Sequence, residues 1–343
     1  MILGGTPGLV HPVVQAPMAG GPSTPELAIA VSEAGGLGFL AAGYRGAGDV
    51  RGEIERVRAA TDRPFGVNVF VPRVDEVDEH ALARFVAGLG PGAGEPLWDD
   101  DDWGAKLELL REARVPVLSF TFGCPSAAEV AALRDAGSEV WITVTRVAEA
   151  RAATAAGADA LVVQGVEAGG HQGAWEDGDR VDRLGLLALL RLVAAQTSVP
   201  LVAAGGIGDG AGVAAALVAG AGAAQLGTAF MLADEAGTDP ALRAALAGDA
   251  PTALTRAFSG RTARGIVNGF MREHSGAPVA YPQIHHATAP LRAGARKRGD
   301  ADGFNLWAGQ AYRLARDEPA AAIVARLAAD AGAALSRAER TRG

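Results

Sequence analysis

His171 is the side chain best suited to move a proton, because an unperturbed imidazole titrates close to neutrality. It lies in VVQGVEAGGHQG, residues 162–173, directly after an apolar run at 160–163. The run reads as a buried strand. Gln164, Glu167, the paired Gly169 and Gly170, and then His171 read as the loop leaving its C-terminal end. In parallel α/β proteins that lip carries active-site side chains. Gly169 and Gly170 have no Cβ, so backbone here is expected to approach a ligand closely and bring His171 beside it. A loop histidine on the surface is the plain alternative.

A second group of residues suits a phosphate. The run 201–204 leads into Gly205-Gly206-Ile207, and the run 223–226 ends in Gln225 and Leu226, followed by Gly227 and Thr228. Backbone amides at these glycines, with the Thr228 hydroxyl, make an anion cradle. Tight strand–helix packing by glycine is the alternative. A bulky residue at Gly206 is expected to fill the cradle and leave the fold intact. GGIGDG at 205–210 lacks the G-x-G-x-x-G spacing, and no acidic residue follows at ribose-binding distance, so a dinucleotide fold is rejected.

Ala16, Pro17 and Met18 end the first apolar run within QAPMAGG and form an apolar floor with free amides, suited to a planar ring. Asn68, in GVN, can donate and accept at a ring edge. Cys124, in SFTFGCPS, is the only cysteine. Nothing near it supplies a base, so it is not read as a nucleophile, although it can face the cavity. One cysteine also excludes an intrachain disulfide and a cysteine-based metal site.

These residues need elements to hold them. Apolar runs at 13–16, 38–41, 65–70, 115–120, 139–144, 160–163, 201–204 and 223–226 alternate with helical patterns. Ser23-Thr24-Pro25-Glu26 starts one helix and Gly35-Gly36 ends it; Asp209 opens another that closes at Gly220. Eight strand–helix units within about 230 residues predict a (β/α)8 barrel. Residues 91–103 break the alternation as a Gly/Pro-rich and then acidic loop, expected to be solvated at 99–102. Residues 231–303 show no strand signal and are expected to form a small helical subdomain over the barrel mouth. The predicted organisation is therefore a barrel at 1–230, that subdomain at 231–303, and C-terminal helices packing back at 304–343.

The formal charge of −8 argues against nucleic acid as a partner. Residues 251–343 are locally basic, and their arginines are expected on a solvated face. No apolar run approaches a membrane span, and the first residues carry no secretion pattern, so a cytoplasmic protein is expected.

Together QAPMAGG, GVN, SFTFG, VVQGVEAGGHQG, AAGGI, QLGTAF, SGRTARG and LWAGQ resemble the nitronate monooxygenases, formerly called 2-nitropropane dioxygenases, in order and over nearly the whole chain. EAGGH with AAGGI also occurs in flavin-dependent enoyl-acyl carrier protein reductases and NADH:quinone reductases; SGRTARGIVN and LWAGQ favour nitronate oxidation. The resemblance implies one non-covalent FMN and no metal. It implies FMN contacts at Ala16, Pro17, Met18, Asn68, Gln164, Gly169, Gly206, Gln225, Leu226, Gly227 and Thr228, with His171 as the catalytic residue. It further implies oxidation of alkyl nitronates such as propionate 3-nitronate, and of nitroalkanes where accepted, by O2 to carbonyl compounds and nitrite or nitrate. Gln172 stands where the family commonly has Arg, which bears on substrate preference. Two other readings stay open: an FMN-dependent NAD(P)H reductase of enoyl thioesters or quinones, and a non-catalytic flavin-binding barrel subunit.

Overall fold

A computed structural model describes residues 9–73, 76–179 and 182–340. The strands are β1 (Val13–Gln15), β2 (Gly38–Ala41), β3 (Phe65–Phe70), β4 (Val117–Thr121), β5 (Glu139–Val144), β6 (Ala160–Gln164), β7 (Gly170–His171), β8 (Leu201–Ala204), β9 (Ala223–Leu226), β10 (Thr252–Thr255) and β11 (Ala263–Ile266). Eight of them form one parallel sheet in the order β1-β9-β8-β6-β5-β4-β3-β2. A parallel bridge between Val14 and Leu37 joins β1 to β2, so the sheet closes into a (β/α)8 barrel.

Strand periodicity divides the core in two. Val14, Phe39, Val117, Trp141, Val162 and Val202 fill the barrel interior. Their neighbours Val13, Leu40, Leu118, Ile142, Leu161 and Ala203 pack outward against the helices. Local capping sets the helix starts. Thr24 Oγ1 accepts from Leu27 N at 3.0 Å ahead of the helix Pro25–Glu33. Asp209 Oδ1 accepts from Gly212 N at 2.8 Å ahead of Gly210–Val218. The final helix Ala320–Arg340 buries Ile323, Val324, Leu327 and Ala331 and packs on Gly210–Val218 and Pro25–Glu33.

Two regions differ from the sequence reading. Residues 231–303 are not all helical: β10 and β11 form an antiparallel pair within them, and β11 continues the pairing onto β7 from the barrel loop. This small sheet is held by long-range partners, so its short strands carry little local signal. Residues 305–316, part of the C-terminal segment expected to be helical, form no α-helix. Trp307 bridges Gly265, Gly309 N donates to Thr228 Oγ1 at 3.1 Å, and only Tyr312–Leu314 forms a 3-10 turn. No helix among the described residues is long and apolar enough to cross a membrane. The first eight residues, which bear on the secretion reading, lie outside the described residues.

Candidate active site

The inward-facing positions at the C-terminal end of the barrel turn polar. Asn68, Ser119, Thr121, Thr143, Gln164 and Gln225 line one cavity there, together with Ala16, Pro17, Met18, Leu242, Arg296 and Trp307. Asn68 spends its amide hydrogens on Ser119 Oγ at 2.8 Å and Thr121 Oγ1 at 3.0 Å, which leaves its Oδ1 for a ligand. Gln164 pins the histidine loop from below. Its Oε1 accepts from Gly173 N at 2.7 Å and its Nε2 donates to His171 O at 3.3 Å.

His171 lies on the cavity wall, and its backbone is paired with Ala263 across the β7–β11 ladder. That ladder turns a loop position into a fixed one. Nε2 lies 2.8 Å from Ser259 Oγ. Ser259 Oγ also lies 3.3 Å from Arg261 O, its only carbonyl acceptor there. On that assignment the histidine keeps its proton at Nε2 and presents an unprotonated Nδ1. Phe122, Tyr281 and Trp307 surround the ring at centroid distances of 5.6, 5.8 and 5.6 Å. Burial, with Arg261 and Arg292 nearby, pushes the imidazole pKa down to about 3. The ring is therefore neutral near pH 7.

Several arginines of the basic C-terminal region lie on the expected solvated face, among them Arg272, Arg298 and Arg316, but three depart from it. Arg261, Arg264 and Arg292 are all buried. They stay charged among backbone carbonyls: Arg261 Nη2 donates to Ala174 O, Arg264 Nε to Val166 O at 3.0 Å, and Arg292 Nη2 to His285 O at 2.9 Å. Arg261 also stacks over the Phe122 ring at 4.1 Å. Asp177 ties down the segment that carries Arg261 and Arg264, accepting from Thr262 N at 2.7 Å and Thr262 Oγ1 at 2.8 Å.

Of the residues expected to contact a cofactor, Ala16, Pro17, Met18, Asn68, Gln164, Gly169, Gly206, Gln225, Gly227 and Thr228 line this cavity. Leu226 does not. It follows Gln225 by one position on β9, so its side chain points outward into the barrel–helix core. Gln172 is buried outside the cavity, with its N–H on Thr262 O. Its side chain therefore cannot touch a substrate there. Cys124 is also outside the cavity, and burial raises its thiol to about 11.

Two glycine roles change. A Cβ on Gly169 would meet Gly309 N at 2.4 Å and Ala308 C at 2.5 Å. The close approach that a Cβ would break there is to the 306–310 segment of the chain. Gly206 has φ +71, and a Cβ would lie 2.8 Å from Glu167 Cβ. A bulky residue at Gly206 would strain the Glu167 loop before it filled any cradle. It therefore does not serve as a selective probe of phosphate binding.

The strand ends do fit a phosphate-bearing ring. The N–H groups of Gly206 and Ile207 make no hydrogen bond within the described residues. Gln225 Oε1 is a buried acceptor without a donor among the described residues. Both are groups that a polar ligand would satisfy. No set of three or more His, Cys, Asp or Glu among the described residues is arranged to hold a metal. Sequence reading missed Ser259, Arg261, Phe122, Tyr281 and Trp307 as neighbours of His171. The motifs SGRTARG, SFTFG and LWAGQ contain four of them, but nothing in their spacing says that they converge.

A sequence model described as nitronate monooxygenase matches residues 7–330. A "Nitronate monooxygenase" of Paraburkholderia phytofirmans is 43% identical over 93% of this chain and 92% of its own length. The crystal structure of nitroalkane oxidase from Streptomyces ansochromogenes superposes with a TM-score of 0.94 at 50% identity, covering 96% of this chain and 98% of that one. FabK from Thermotoga maritima is more distant, at a TM-score of 0.77 and 29% identity over 97% and 96%. The match runs through the barrel, the histidine loop and the segments that close over it, and by that extent the chain belongs to the nitronate monooxygenase family.

Proposed function

We propose that this chain is an FMN-dependent oxidase of alkyl nitronates and their parent nitroalkanes, with His171 as the base toward the neutral substrates. One observation carries the reading: a neutral imidazole, held at Nε2 by Ser259, stands on the wall of a cavity at the strand ends. The cofactor would be held by Ala16, Pro17, Met18, Asn68, Gln225, Thr228 and the amides around Gly206. FMN held there would supply the redox chemistry between a carbanionic carbon and O2. A cytoplasmic enzyme that acts on a small substrate with O2 is part of the proposal.

The protein's own share is proton transfer and charge. Nδ1 takes the α-proton of a nitroalkane, and the negative charge left on the nitro group lies in the field of Arg261 and Arg292. A weakly basic imidazole suffices because the transfer creates an ion pair, and the new anion stabilises the imidazolium beside it. Phe122, Tyr281 and Trp307 keep water away from that pair. A preformed nitronate bypasses the step.

The test is O2 uptake with propionate 3-nitronate and with nitroethane, each with and without NADH, for the wild type and His171→Asn. Both substrates should support uptake without NADH. The variant should lose about 10²–10⁴-fold on nitroethane, the usual worth of a positioned base, and much less on the nitronate. Equal losses would make His171 a binding group, and no loss would make it a bystander. Uptake or flavin bleaching that requires NADH would favour the reductase reading to which the likeness to FabK points.

A further inference from the structure

Beside the catalytic cavity lies a second one, with Val71, Pro72 and Pro282 on its apolar side and Arg45 and Asp99 on its polar side. Tyr44 and Phe70 belong to the walls of both. The Tyr44 ring is held on three sides. It stacks on His285 at 4.0 Å with an interplanar angle of 6°, it meets the Phe70 ring edge-on at 5.3 Å, and its hydroxyl accepts from Tyr281 at 3.2 Å. The Tyr281 ring is in turn 5.8 Å from that of His171. Tyr44 therefore stands between the proton-transfer site and the outer cavity. Burial raises its hydroxyl to about 12, so the partition is uncharged.

The backbone of Tyr44 has φ +65, a left-handed conformation unusual for a bulky residue. Asp101 sustains it. Its Oδ1 accepts from Tyr44 N at 2.8 Å, and its Oδ2 lies 2.8 Å from Nζ of the fully buried Lys106. Asp102 Oδ2 accepts from Ala47 N at 2.8 Å, where the next helix begins. Asp99 pairs with His286 at 2.7 Å, on the helix that also carries His285. The acidic loop is solvated at Asp99, Asp100 and Asp102, as expected, and it also braces the aromatic wall through Asp101.

From this geometry we infer that Tyr44 is a specificity-determining partition, which closes the catalytic cavity at its outer end and limits the alkyl chain it accepts. Asp101 is the positioning residue that holds it. The inference rests on the nitronate and nitroalkane reading above. Removing the ring joins the two cavities, and the far methylenes of a longer substrate then meet Val71, Pro72 and Pro282 instead of Tyr44. Each buried methylene is worth about fourfold in binding, so three beyond the wall give about 60-fold.

The test is kcat/KM across the straight chain from nitroethane to 1-nitrohexane, for flavin-loaded wild type, Tyr44→Ala, Tyr44→Phe and Asp101→Asn. Straight-chain carboxylates, unreactive planar mimics of the nitronates, are titrated calorimetrically in parallel. The ratio of 1-nitrohexane to nitroethane should rise in Tyr44→Ala by about 10- to 60-fold, through KM, and carboxylate affinity should follow. Tyr44→Phe keeps the ring and should keep the wild-type chain-length profile. Asp101→Asn should shift the profile in the direction of Tyr44→Ala, by less. A folded Tyr44→Ala protein with the wild-type profile overturns the inference. Should that variant not fold, an unshifted profile in Asp101→Asn and Tyr44→Leu overturns it. A wild type inactive on every nitro compound would overturn the functional reading instead, and the carboxylate titrations would still decide the partition.

Discussion

The pH dependence of nitroalkane oxidation follows from where His171 is buried. An imidazole with an ordinary pKa near 6.5 would be only about 3% neutral at pH 5. As the required base it would make kcat/KM fall about 30-fold between pH 8 and pH 5. His171 sits among Phe122, Tyr281 and Trp307, within the field of Arg261 and Arg292, and its pKa is pushed down to about 3. At pH 5 about 99% of it remains neutral, so kcat/KM for nitroethane should be flat over that range. The same shift costs stability in acid. The unfolded chain binds a proton below about pH 6.5 that the fold refuses, so stability is complete above that pH and falls between 6.5 and 3. At pH 5 the loss is about 2 kcal/mol from His171, with a similar amount from His285, whose pKa is lowered to about 2. The assays are steady-state O2 uptake and denaturant unfolding at pH 5, 6, 7 and 8. A 30-fold fall in kcat/KM with an inflection near 6.5 would refute the buried neutral base.

Two further expectations concern the cofactor and the fold. Denaturation of the purified yellow protein should release FMN and not FAD, because the strand ends offer one cradle, at Gly206, Gly227 and Thr228, and no dinucleotide fingerprint; adenine in the released cofactor would contradict this. Gly169→Ala should destabilise the protein by about 1–3 kcal/mol, since its Cβ would collide with the backbone of Ala308 and Gly309; an unchanged denaturation midpoint would show that this approach is not tight.

Much of this architecture was legible in the chain itself. Strands at 38–41, 65–70, 139–144, 201–204 and 223–226 appear where apolar runs placed them, because a strand buried on both faces reads as a near-continuous apolar run. The helix at Pro25–Glu33 was equally visible, since Thr24 and Pro25 act within one turn of the backbone they cap. His171 stood out because an imidazole after a strand and two glycines is a local pattern.

What surrounds His171 was decided only by the tertiary fold. Ser259 is 88 positions away in sequence and 2.8 Å away in space, and it arrives through the β11–β7 pairing, whose short strands have no periodicity to read. The depressed pKa of the imidazole comes first from its burial and then from Arg261 and Arg292, whose spacing suits a solvated face but which the fold buries. The acidic loop at 99–102 likewise acquires its task only by meeting Tyr44, Ala47, Lys106 and His286. Local spacing encodes what a residue does to its own turn of backbone. Burial, charge environment and cavity shape belong to contacts between segments, and those exist only when the chain has folded.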